Sequence, residues 1–231
     1  WTEWLRDIWV KPVFAEAKIT AGAAEPEKWA SLLSPAAYQA LRERVDIEFP
    51  ATNPAFLPVD ADVSVDVVLK NTPKLIVRIY EINTLGFHLG QNRPLNTDLH
   101  LDGLVANSEQ THEGDASPFK RVARSFKFPE LKGRRGAWII EFIGGGKSSR
   151  ALVRKGRYTL VQRTGPAGEW LTVLDENRRP ATNAVAWLDG RRMTPDPKEG
   201  RILVPFTISP GRRTIVLADP DGSFASAAQF D

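Results

Sequence analysis

The 231-residue chain contains no cysteine. Disulfides, thiolate metal sites and cysteine nucleophiles are therefore excluded from it, while the redox compartment stays undecided. It has no apolar run near the ~20 residues that a membrane-spanning helix needs. A strong charge of either sign is also missing. Lys and Arg number 31 against 28 Asp and Glu, a net of +3, and the signs are mixed along the chain. No nucleic-acid partner is expected from so small an excess. No signal peptide is visible, but the chain opens at Trp1 rather than Met. It is expected to be a piece of a longer or processed protein, so the missing signal decides little.

Catalytic signatures are scarce too. There is no Gly-x-Ser-x-Gly turn for a serine nucleophile and no His-Glu-x-x-His zinc helix. Gly146-Lys147-Ser148 imitates the end of a phosphate-binding loop. The glycine that such a loop needs five residues earlier is Glu141, whose carboxylate would repel phosphate. The motif also needs a following helix to hold the anion, and Arg150-Ala151-Leu152-Val153 reads as strand.

What is present is an ordinary globular composition, 42% hydrophobic and 26% charged, with 17 Gly and 17 Pro as frequent punctuation. The strongest pattern is a hairpin. Ala137 to Ile143 is rich in aromatic and β-branched residues, three glycines follow, and Ser149 to Lys155 returns in alternation. With the reversal at Gly144 to Lys147, Ile143 faces Ser148, Glu141 faces Arg150, Ile139 faces Leu152 and Trp138 faces Val153. That register puts Trp138, Ile140, Phe142, Ala151 and Val153 on one apolar face. It sets the Glu141–Arg150 pair on the other, where Glu141 is expected to be at least partly exposed.

Upstream, Trp1, Trp4, Leu5, Ile8 and Trp9 share one face of a short helical run, whose tryptophans need cover from the later domain or the rest of a parent protein. Lys11 to Gly22 shows no clear period. Pro26 to Val45 reads as helix, restarted by the cap Ser34 and the first-turn Pro35. From Asp46 the period becomes two. Ile47 to Pro50, Val63 to Leu69 and Leu75 to Ile82 read as strands, the last apolar on both sides and so central in its sheet. Thr84 to Pro118 is polar, weakly patterned and too long for a hairpin loop. Pro118 to Phe128 contains a further strand. Beyond Gly156, β-like runs at 158–162, 170–174, 184–188, 202–206, 214–217 and 224–230 are divided by Asp, Asn, Gly and Pro turns, as in a sandwich. A break between two cores is expected near Gly156 to Gly168.

The stretches LTVLDENRRPATNAVAWLDGRR, PDPKEGRILVPF and PGRRTIVLADPDG resemble the prealbumin-like modules of alpha-macroglobulins and of some carboxypeptidases. Asp175, Pro180, Ala184, Val185, Asp196, Gly200 and Ile202 stand at the places of that pattern. The upstream FPEL and RRGAWIIEFIGGGKSSRALVRKG, after VVLKNTPKLIVRIYEIN, resemble the neighbouring macroglobulin-type domain of large bacterial relatives. The resemblance covers about 46–231. It implies a structural part of a protease-trapping protein, secreted, periplasmic or at the cell surface. The bait segment and the Cys-Gly-Glu-Gln thioester of that family are not in this chain, so no active residue carries over.

The one reactive-looking group is His88, Asp98, His100, Asp102, Asn107, Glu109, His112 and Asp115 in the long loop. His100 and Asp102 share a side of an extended segment onto which His112 could fold, a candidate divalent-metal set whose spacing matches no recognised ligand scheme. Asp98 and Asp102 also lack the glycine and terminal glutamate of a helix-loop-helix calcium site. Arg150, Arg154, Lys155, Arg157 and Arg163 could bind a polyanion, although no row of exposed aromatics accompanies them and Arg150 and Arg154 fall on the solvent face.

The sequence thus predicts a mainly β chain of two tandem antiparallel sandwiches, immunoglobulin-like or prealbumin-like, with an N-terminal helical appendage. The expected division is 1–45, 46–157 and 158–231. The expected role is a non-catalytic structural array in a larger alpha-macroglobulin-like protein, its partners being the parent's other domains, proteases or other proteins. Alternatives are an adhesin-like or carbohydrate-binding module and a metal-dependent hydrolase using the 84–118 loop. No catalytic, cofactor or metal residue is assigned.

Overall fold

The computed structural model describes residues 6–91, 93–114, 117–208 and 211–230. Of the residues singled out above, Trp1, Trp4, Leu5, Asp115 and Pro210 lie outside these. Three helices open the described chain: α1 (Asp7–Thr20), α2 (Pro26–Ala30) and α3 (Pro35–Glu43). The first runs through most of Lys11 to Gly22, where the sequence shows no clear period. Its pattern is faint because it buries only Ala15, Ile19 and Thr20, leaving Ile8, Trp9, Val13 and Phe14 exposed. Ser34 caps α3 as its sequence requires, accepting a hydrogen bond from the Ala37 N–H at 3.2 Å.

Two sheets follow, both antiparallel. One orders β1 (Asp46–Glu48), β2 (Ser64–Lys70) and β5 (Val122–Lys127). The other orders β4 (Ser108–Glu113), β3 (Lys74–Ile82), β6 (Gly136–Gly144) and β7 (Lys147–Lys155). Strand β3 is central, as its two apolar sides require. The β6–β7 register is the one read from the sequence: Ile143↔Ser148, Glu141↔Arg150, Ile139↔Leu152 and Trp138↔Val153. The reversal is the two-residue turn Gly145-Gly146, with φ +56° and +77°. A Cβ at Gly145 would stand 2.7 Å from Val45 Cγ2, so glycine is needed there twice over. Val65, Val67, Leu75, Val77, Phe126, Trp138, Ile140 and Phe142 fill the space between the sheets.

The outer face of β3, β6 and β7 is where expectation and structure part. The 84–118 segment folds into α4 (Thr84–Gly90), an extended stretch and β4. It lays Leu99, Leu101 and Ala106 over Tyr80, Ile139 and Leu152, and Phe87 and Leu95 over Ala137. Ile139 is fully buried, and Glu141 beneath this cover is buried rather than partly exposed. Its partner Arg150 likewise lies under the segment and not on a solvent face, donating to Leu99 O at 2.9 Å.

After Gly156 come β8 (Thr159–Gly165), β9 (Gly168–Leu174), β10 (Val185–Leu188), β11 (Arg191–Met193), β12 (Ile202–Val204), β13 (Arg213–Ala218) and β14 (Ala225–Phe230). They pair antiparallel as β12-β9-β8 and β11-β10-β13-β14. Asp189-Gly190, both at positive φ, forms the tight β10–β11 turn that the Asp-Gly pair announces. Leu171, Val173, Ala186, Ile202, Ile215, Leu217 and Phe230 form the core between them. Val153 is the last buried residue of the first core and Tyr158 the first of the second. The change of core takes place within 154–157, and strand β8 occupies much of the 156–168 stretch.

Candidate functional site

The residues proposed as a metal set are not brought together. Asp98, His100 and Asp102 line a shallow depression beside Ser148, Ser149 and Arg150. His112 sits on β4 opposite Leu75, its ring 5.1 Å from that of Phe126 on the other side of the sheet's edge. His88 lies on α4, against Phe87. Asn107 accepts from the Glu81 N–H at 2.7 Å and Glu109 pairs with Arg78 at 2.7 Å, so both serve the sheet. Among the described residues, no three His, Asp or Glu side chains converge as metal ligands.

The polyanion set is equally dispersed. Arg150 pairs with Glu141 at 3.0 Å. Lys155 is fully buried, its Nζ donating to Ala61 O at 2.7 Å and Leu131 O at 2.8 Å. Only Arg154 and Arg157 remain together, and both stand over the half-exposed ring of Phe56. Sequence reading missed that aromatic because it lies a hundred residues upstream.

Two charged nodes organise the molecule instead. The first fastens the helices to the first sandwich. Lys70, at the end of β2 and 1% exposed, donates to Leu41 O at 2.5 Å and Arg44 O at 2.6 Å. It thus satisfies carbonyls left open at the end of α3. Burial pulls the Lys70 pKa down, and Asp46, paired with it in register, pushes back. Asp46 is buried between Arg44 at 3.0 Å and Arg121 at 3.5 Å; Arg44 also reaches Glu16 of α1 at 2.6 Å. The Arg121 N–H donates to Thr20 O at 2.8 Å, tying the end of α1 to β5.

The second node joins the sandwiches. Arg135, just before β6, reaches Glu176 at 3.1 Å and the Tyr158 hydroxyl at 3.2 Å, with Asp175 at 3.9 Å and Asp219 at 4.0 Å. Tyr158 in turn donates to Asp219. Burial, then the hydrogen bond to Asp219, raises the Tyr158 pKa, so the hydroxyl stays a donor throughout the physiological range. Gly156, at φ +79°, passes so close that a Cβ there would lie 2.8 Å from Arg135 Cγ. Beside this node, α4 docks on the outer face of the second sandwich. Leu85 packs on Val185, Val216, Ala218 and Ala225, and the Ala225 N–H donates to Thr84 Oγ1 at 2.9 Å. The arrangement holds elements at set positions; it assembles no nucleophile with a base.

The model of the AbpF first immunoglobulin-like domain matches residues 75–156. The first sandwich is immunoglobulin-like. Residues 1–45 match the model of the actin-binding protein F N-terminal domain. Actin-binding protein F of Dictyostelium discoideum is 32% identical over 232 residues, spanning 98% of this chain. The chain spans only 10% of that relative's length. Two structures of native alpha-2-macroglobulin from Escherichia coli each overlay 81% of the chain. One does so at 10% identity and TM-score 0.49 over 64% of its own chain, the other at 11% and 0.43 over 97%.

The sequence relative corrects the macroglobulin reading. The resemblance captured the sandwich architecture, whose turns many β proteins share, and not the protein that carries it. The secreted, periplasmic or cell-surface placement rested on that resemblance alone. It is overturned by identity along nearly the whole chain to an actin-binding protein.

Proposed function

We propose that this chain is a non-catalytic scaffold segment of a longer actin-binding protein. In this reading it divides into a helical element over 1–45 and two sandwiches over 46–157 and 158–231, held at one angle to each other. The observation that carries it is the 32% identity to actin-binding protein F across 98% of the chain, helices and both sandwiches included. The buried Lys70–Asp46 node and the Arg135 node support the scaffold part, since each fixes one element on the next. The partner is the actin filament, reached by this segment or by its neighbours in the parent protein. Co-sedimentation of the whole chain with filamentous actin is the test. Saturable pelleting supports direct contact; none at tens of micromolar removes filament binding from this segment.

A further inference from the structure

Where α4, the end of β7 and β14 meet, a cleft of about 410 Å³ opens between the two sandwiches. Arg93, Arg154 and Arg157 line it, with no carboxylate among its described lining residues. None of the three makes an ion pair with a described residue. Arg93 bonds only the amide oxygens of Gln91 and Asn96, at 2.7 and 3.3 Å. Arg154 donates to Ala55 O at 3.2 Å and lies 3.9 Å from the centre of the Phe56 ring, which fixes its plane. Arg157 has the same ring at 6.0 Å. Three guanidiniums without an ion pair among the described residues form a site for negative charge around one cleft, and a ring faces each of them, Arg93 having that of Phe87 at 5.8 Å.

The other wall is a sheet edge. Strand β14 ends its sheet, pairing with β13 on one side only. The Asp219 N–H donates to Phe224 O, and the Ala225 N–H points away from β13 to Thr84. Alternation then turns the N–H and C=O of Ala227 and Gln229 outward, into the cleft that both residues line. Both are exposed. Natural edges are blunted with lysine, proline or bulges, whereas this edge reads Ala-Ser-Ala-Ala-Gln-Phe and carries none of these.

We propose that this cleft docks an extended acidic peptide, which adds to β14 as a further strand and sets its carboxylates against Arg93, Arg154 and Arg157. The main-chain bonds at Ala227 and Gln229 supply register, and alternate side chains of the peptide meet the guanidiniums. Thr84, already bonded to Ala225, stops the added strand at that end. The occupant is a protein segment and not a nucleotide or a membrane, because half of the site is an unpaired backbone edge. This inference stands apart from filament binding and fails or holds independently of it.

The test uses the whole chain with a fluorescent peptide of three Glu-Val repeats, blocked at both ends, and a Lys-Val counterpart. Anisotropy at low salt measures binding, and amide exchange reads Ala227 and Gln229. The acidic peptide binds and slows exchange at those two amides, and the Lys peptide does not bind. Replacing two of the three arginines (Arg154→Gln, Arg157→Gln) weakens binding at least about tenfold. Ala227→Pro abolishes it while leaving the melting temperature in place, since that N–H makes no bond to β13; Gln229→Pro repeats the test on the same logic. Four results overturn the proposal: no binding, equal binding of the Lys peptide, binding that leaves both amides unprotected and survives the prolines, or self-association through β14 that excludes the peptide.

Discussion

Single residues decide more here than their burial pattern announces. Glu141 accepts from Ser148 at 2.8 Å and Arg150 at 3.0 Å under the 84–118 cover. Glu141→Ala is expected to cost about 1.5–3 kcal/mol, since a buried charged hydrogen bond is lost. Trp138→Ala is expected to cost about 3–5 kcal/mol, and denaturant melts of the two variants check the ranking. Two histidines give the chain an acid dependence. Burial lowers the pKa of His88 below 6.5, and burial together with Arg124 does the same for His112. As pH falls through 6.5 the unfolded chain takes up these protons first, so stability is kept above that pH and declines below it. Melting curves of His88→Gln with His112→Gln from pH 7.5 to 5 are expected to decline less steeply than those of the parent. Lys155 shares its parity with Val153 and is buried, although the sequence reading counts it in a polyanion-binding set. The carbonyls it serves, at Ala61 and Leu131, come from distant loops and were not readable.

At the scale of elements, the strongly alternating strands were legible down to register, as β6 and β7 show, because period-two patterning and a glycine turn agree there. Strand β11, which buries no residue, and the helix α1 with its mostly exposed face were not, because too few side chains are buried to leave a period. The 84–118 segment hid for another reason. Its apolar residues are spaced to meet a sheet already formed, and no local repeat records that. The attachment of α3 depends on one side chain. Lys70→Met leaves the Leu41 and Arg44 carbonyls without their donor, at a cost of about 1–3 kcal/mol. Amide exchange across Pro35–Glu43 is expected to quicken while β3 and β6 stay protected. Unchanged exchange in α3 would mean that apolar packing alone holds it.

At the scale of the whole molecule, both sandwiches could be inferred from turn spacing, but not the joint between them. Arg135, Tyr158, Glu176 and Asp219 come from four separate stretches, and no motif links them. The scaffold account stands on that joint being firm. The absence of cysteine makes it directly measurable, since two introduced thiols are the only ones in the chain. Lys127→Cys on the first sandwich and Lys198→Cys on the second place spin labels at exposed positions. The account predicts a single narrow distribution of distances between the labels, which Arg135→Ala broadens. A broad distribution in the otherwise unaltered chain would contradict it, showing two sandwiches that turn freely on the 154–157 connection.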